Sequence, residues 1–152
     1  MNLAAHFDTL RSPGVLTDGV TTIRWSDIQQ PFSRLEQCWN QLSAKGDRGT
    51  GVLASRNDLA TAVAMLWFLA TNRSFYFWRP PRGTTAEAFP WATLPAYCQT
   101  AVLPRSTLST TDGEQQIDFD TVVRPDRLQL PQRDGPAWFS LATSGTTEQP
   151  KL

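Results

Sequence analysis

Apolar residues recur along this chain in two rhythms, one helical and one strand-like. Ile28, Phe32, Leu35, Trp39 and Leu42 are spaced 4, 3, 4 and 3 residues apart, which places them on one face of a helix. Ser26, with Gln29 three residues on, has the pattern of a capping box ahead of it. Pro31 falls in the first turns, where it is tolerable, and Lys45-Gly46-Asp47 ends the helix. A second helix is expected over residues 58–71, capped by Asn57 or Ser55. It is apolar nearly all round, so it is buried or lies under other elements. A β-prone run at residues 21–25 and short, largely apolar runs at 51–55, 75–78, 100–103 and 138–142 read as strands, those at 51–55 and 138–142 buried. Arg79-Pro80-Pro81-Arg82-Gly83 stops the third of these and Pro104 the fourth. Residues 105–135 are polar and rich in turn signals. Within them Gln116-Ile117-Asp118-Phe119-Asp120 alternates as a short edge strand.

Strand, helix, strand, helix, strand is the order of an α/β fold with a mixed, mostly parallel sheet and flanking helices. Residues 1–20, with Ser12-Pro13-Gly14 and Asp18-Gly19, form a lead-in arm, and residues 21–152 one domain. Fourteen Lys and Arg balance fourteen Asp and Glu, and the arginines are scattered, which argues against nucleic acid as a partner. The longest apolar run, residues 62–70, is far short of the ~20 residues of a membrane helix. The N-terminus has neither a basic start nor a long apolar core, so no signal peptide is expected. Cys38 and Cys98 are too few for a disulfide framework or a zinc site. They fit half-buried, reduced thiols of a soluble, cytoplasmic protein.

The chemistry concentrates in the last ten residues. After the strand at 138–142 comes Thr143-Ser144-Gly145-Thr146-Thr147-Glu148-Gln149-Pro150-Lys151-Leu152. Gly145 lets the backbone approach a ligand closely, and free N–H groups in such a turn can point at phosphate oxygens. The hydroxyls add donors and Lys151 a point positive charge. A plain Ser/Thr/Gly surface turn is the competing reading. Five residues separate Gly145 from Lys151, and Leu152 follows the lysine, so this is not a Walker A loop. There is no Gly-x-Gly-x-x-Gly for a dinucleotide either.

The stretch resembles the phosphate loop of the adenylate-forming (AMP-binding) superfamily, which includes acyl- and aryl-CoA ligases, luciferases and peptide-synthetase adenylation domains. Its members carry Thr-Ser-Gly-(Ser/Thr)-Thr-Gly-x-Pro-Lys after a hydrophobic strand, and eight of those nine positions match at residues 143–151. Glu148 is the departure, standing where the family has its second glycine. Either the loop is rearranged, or nucleotide binding is weakened, or Glu148 points to solvent. The likeness extends upstream. Ile23-Arg24-Trp25-Ser26-Asp27-Ile28 looks like the family's early strand and helix start. Residues 51–80 have its apolar strand ending in Asn57-Asp58, its hydrophobic helix and its aromatic strand closed by Pro80. The usual glycine before that aromatic strand is replaced by Thr71-Asn72-Arg73-Ser74.

The resemblance implies the first part of a large N-terminal domain. The parent enzyme joins a carboxylic acid to ATP, with Mg²⁺, to give an acyl-adenylate and pyrophosphate. It then passes the acyl group to the thiol of CoA or an acyl carrier protein. In that setting Lys151 is the catalytic residue, offsetting charge on the departing pyrophosphate. Thr143, Ser144, Gly145, Thr146 and Thr147 bind the nucleotide, with Ser144 and Gly145 shaping the turn and Thr146 and Thr147 donating to the β- and γ-phosphates. The remaining site residues belong to sequence downstream, so activity of this chain alone is not expected. It requires the remainder of the enzyme or a complementing chain. A non-catalytic remnant or split subunit that binds a partner protein is the alternative.

Elsewhere the sequence favours structural roles. His6 lies in the arm, and the tryptophans at positions 39, 67, 78 and 138 fit core packing. Asp118 and Asp120 share one strand face but have no third ligand nearby, so they read as a solvated edge. Arg79-Pro80-Pro81-Arg82 reads as a surface loop.

Overall fold

The computed structural model describes residues 14–17, 19, 22–42, 50–108, 115–126 and 138–141. Strands β1 (Val15–Thr17) and β2 (Thr22–Arg24) form an antiparallel hairpin in register Leu16↔Ile23. A 3₁₀ turn (Trp25–Ile28) leads into α1 (Gln29–Leu42). Then follow β3 (Thr50–Ala54), α2 (Leu59–Ala70), β4 (Phe75–Trp78), β5 (Cys98–Leu108), β6 (Gln115–Val123) and β7 (Phe139–Leu141). Five strands make one sheet in the order β6-β5-β3-β4-β7. It is parallel from β5 to β7 and antiparallel at β6, so the α/β class with a mixed sheet holds. Among the described residues no helix is long and apolar enough to cross a membrane.

Both helices lie on one face of the sheet, and residues 79–97 cover the other. The helix face buries Leu53, Phe75, Val102, Ile117 and Phe119 under Leu35 and Trp39 of α1 and Val63, Trp67 and Phe68 of α2. Val52, Ala54, Tyr76, Trp78, Ala101 and Leu103 face the other way, against Phe89 and Leu94. A register shift where β3 meets β5 opposes Thr50 to Cys98 but Gly51 to Thr100. The extra residue lets Cys98 and Ala101 share a face although an odd number of positions separates them.

Gly51 permits the closest contact in this core. A Cβ there would fall 2.6 Å from Phe68 Cε1, 2.7 Å from Phe68 Cζ and 3.0 Å from Trp39 Cη2. Around it Trp39, Trp67, Phe68 and Phe75 pack ring to ring at 5.0–5.5 Å between centroids. Arg73 lies over both indoles, 5.5 Å from Trp39 and 5.1 Å from Trp67. Glu36 accepts from Arg73 Nη2 at 3.0 Å and from Trp67 Nε1 at 3.1 Å, which satisfies the indole of Trp67 at the edge of the core.

The helix termini differ from the sequence expectations. Ser26 does not cap α1. It lies inside the 3₁₀ turn and its hydroxyl donates to Asp27 Oδ1 at 2.8 Å. Asp58, rather than Asn57 or Ser55, caps α2, its Oδ1 accepting from Thr61 N at 2.8 Å and Thr61 Oγ1 at 2.6 Å. Asn57 takes a left-handed φ of 56° to turn the chain out of β3, which moves the cap one residue along. At the other end Asn72 occupies the left-handed position (φ 54°). Asn72 N then donates to Leu69 O and Arg73 N to Phe68 O, the paired bonds of a Schellman cap. Asparagine tolerates this left-handed position better than most residues with a side chain.

Two strand ends also move. β5 runs through Pro104 to Leu108 instead of stopping at 103, and β6 is longer than the short run at 116–120. Arg124 N donates to Gln99 O. Alternation along the antiparallel ladder therefore turns the Pro104 nitrogen away from β6, and β3 pairs only as far as Val102. The strand at 138–142 is an edge strand of three residues rather than a buried one, with Phe139 59% exposed.

Replacing Gly51 with Ala should force Phe68 and Trp39 off the sheet and cost about 1–3 kcal/mol by overpacking. Urea denaturation would show this as a lower midpoint at unchanged slope. An unchanged midpoint would mean that the contact relaxes freely.

Candidate functional site

In open α/β sheets ligands collect outside the carboxyl ends of parallel strands, where successive connections leave on opposite faces. Here β3 exits toward the helix face through Ser55 to Asp58, while β4 exits toward the other face through Arg79 to Thr85. The two exits are tied together. Ser55 N donates to Trp78 O at 2.8 Å, and Arg56 Nη2 reaches Thr84 O at 3.4 Å. Arg56 N also donates to Thr61 Oγ1, which locks the turn onto the first turn of α2.

β7 brings the chain to this same edge. It pairs in parallel with β4 in register Phe75↔Phe139 and Phe77↔Leu141, so Leu141 ends beside the exit of β4. Its start is held by Phe75 N donating to Trp138 O at 3.0 Å and Trp138 N to Ser74 Oγ at 3.2 Å. Phe139 stacks on Phe75 at 5.8 Å, and Trp138 meets Tyr97 edge-on.

Thr143, Ser144, Gly145, Thr146, Thr147, Glu148 and Lys151 lie outside the described residues, as does His6. The described part of the edge contributes three exposed cations, Arg56, Arg79 and Arg82. The carboxylate of Asp58 beside them is committed to capping α2. The hydroxyl, glycine and lysine composition of residues 143–151 suits phosphate oxygens. For Mg²⁺, no group of three His, Cys, Asp or Glu side chains is gathered among the described residues.

Other sequence candidates have structural partners. Asp120 pairs with Arg105 at 2.6 Å, with both side chains partly exposed, and Asp118 accepts from Phe119 N. Cys38 is half-buried as expected, but Cys98 is fully buried. Burial pushes its thiol from an ordinary 9.0 up to about 12, and Arg124 opposes that rise. Burial likewise raises the phenols of Tyr76 and Tyr97.

Sequence reasoning passed over Arg124, which is 7% exposed. Its guanidinium donates to the carbonyls of Pro95, Cys98, Trp91 and Leu94 and lies 5.3 Å from the Trp91 ring. It thereby pins the covering segment to the end of β6. The only signal was a lone arginine closing the apolar pair Val122-Val123 before Pro125.

The chain matches no family model, no curated protein and no solved structure.

The folded thiol of Cys98 keeps its proton until about pH 12, whereas the unfolded thiol releases it near 9.0. The native state therefore holds more protons across that window. This contribution to stability should be intact below pH 9 and decline as pH rises toward 12. A Cys98→Ala variant should lose that part of the decline. At pH 8 a thiol reagent should modify Cys38 in the folded protein and both cysteines only after unfolding; two fast-reacting native thiols would contradict the burial.

Proposed function

We propose that this chain is the N-terminal segment of an acyl- or aryl-adenylate-forming ligase. The observation that carries this reading is the placement of β7, which runs parallel to β4 and delivers the chain to the carboxyl edge of an α/β sheet two residues before Thr143. A phosphate loop needs that position, because a strand fixes its start and the exits of neighbouring strands leave room for the ligand. In this reading a carboxylate oxygen attacks the α-phosphorus of ATP, bound with Mg²⁺, and pyrophosphate leaves. A thiolate of CoA or of a carrier protein then attacks the acyl carbonyl and AMP leaves. Lys151 offsets negative charge as it builds on the departing pyrophosphate, while Thr146 and Thr147 donate to the β- and γ-phosphates. Arg56, Arg79 and Arg82 add positive potential on the same edge.

The test is acid-dependent ATP–pyrophosphate exchange, measured over a panel of carboxylic acids on the protein as its source produces it. Lys151→Ala should slow exchange by about tenfold or more, the range expected when one charge-stabilising donor is lost. An unchanged rate would overturn the assignment of the loop.

One observation favours a second reading, a non-catalytic or split subunit completed by a partner chain. Among the described residues β7 pairs only with β4, and Phe139 stands exposed on that open edge. Under this reading exchange appears only when the complementing polypeptide is co-expressed. Phe139→Lys should abolish the complementation while leaving the fold of this chain intact. Exchange that is insensitive to this substitution would remove the second reading.

A further inference from the structure

On the opposite edge of the sheet, an open groove of about 770 Å³ lies between the β1–β2 hairpin, the start of α1 and the start of β6. That volume falls within the ~300–1,000 Å³ usual for small-molecule sites. Four strand spacings, roughly 19 Å, separate the edge strands β6 and β7, so this groove lies at the far edge of the sheet from β7. Its floor is apolar, formed by Pro31 and Ile117, and its walls are polar.

Two arginines define its character. Arg24 ends β2, and Arg34 projects from α1 one turn after Gln30, so that Gln30 and Arg34 present side by side. Among the described residues neither guanidinium has an ion-pair partner, whereas Arg73, Arg105 and Arg124 all do. Gln30 and Gln116 supply further donors. Against these stands one carboxylate, Asp27, already accepting from the Ser26 hydroxyl. Among the described residues the groove thus carries an excess of one positive charge and several donors, in a chain whose formal charge is zero.

We propose that this groove binds a small polyanion, a phosphorylated or multiply carboxylated metabolite, gripped by Arg24 and Arg34. Guanidinium forks match both phosphate and carboxylate geometry, and the two stand on different elements, so a ligand bridging them would tie the hairpin and 3₁₀ turn to α1. An apolar ligand is disfavoured because the donors around the rim would lose water without gaining a partner.

Isothermal titration of the full chain with pyrophosphate and with citrate tests this. Saturable, salt-sensitive binding of either probe is expected, and the tighter one assigns the ligand to phosphates or to carboxylates. Arg24→Gln and Arg34→Gln should each weaken binding by about tenfold, the loss expected for a hydrogen bond to a charged group. Asp27→Asn should tighten it, a change of sign that misfolding cannot mimic. Absence of saturable binding by both probes would overturn the proposal. So would undiminished binding in both Arg24→Gln and Arg34→Gln, which would place the anion outside this groove.

Discussion

The arrangement depends on the bare backbone of β3 at Gly51, where Phe68 and Trp39 press closer than any side chain would permit. That contact sets the depth at which α2 lies on the sheet and fixes where α1 crosses it. Truncating a buried Trp or Phe in such a core costs about 3–5 kcal/mol, so a cluster of four aromatic rings outweighs any surface ion pair in the molecule. The cluster is also directional. Phe68 stacks on Phe75 and Phe75 on Phe139, so ring packing continues from α2 through β4 to the edge strand β7.

Polar groups fix what packing alone leaves adjustable. Arg73 follows the Schellman turn directly, and its guanidinium lies over both indoles while Glu36 holds it from α1. Both helices are thus joined at the rim of the core. Arg124 acts similarly on the other face, where residues 79–97 have little regular structure of their own. Four carbonyls of that segment and of the start of β5 converge on its guanidinium, which replaces the backbone pairing that a loop lacks. Both arginines are structural ties, and neither stands near the carboxyl edge in the manner of Arg56.

The strands and helices were legible because each is long or apolar enough for its period to dominate. Val52, Leu53 and the aromatic run at 75–78 could hardly be anything but buried strands, and the stripe through Leu35 and Trp39 faces the core as its spacing requires. What was illegible depended on tertiary partners. Pro104 stops a strand in isolation but not where its nitrogen faces away from the ladder. Ser26 and Gln29 form a cap in sequence, yet the chain spends Ser26 on a 3₁₀ turn and begins α1 at Gln29. The hairpin of β1 and β2 crosses the junction expected between an arm and a domain, because pairing with 22–24 orders residues 15–17. Cys98 is buried by a bulge, and no periodicity announces a bulge. For the candidate site the division runs the other way. The motif at 143–151 was visible only as sequence, while the structure contributes the strand that leads to it.

That division bears on how such a loop would work. Electrostatic stabilisation of a departing pyrophosphate requires donors held within about 0.5 Å of their working positions, and rigid elements supply that precision better than loops. β7 is three residues long and, among the described residues, is held from one side only, by β4 and the Phe75 ring. A strand so short and so open gives a phosphate loop a direction but little stiffness. Sheet or chain laid against its free edge would bury Phe139 and pair the backbone N–H and C=O of that residue, which face away from β4. The continuing-enzyme and complementing-chain readings therefore share one structural requirement. In both, a cover on the outer edge of β7 would stiffen the base from which residues 143–151 depart.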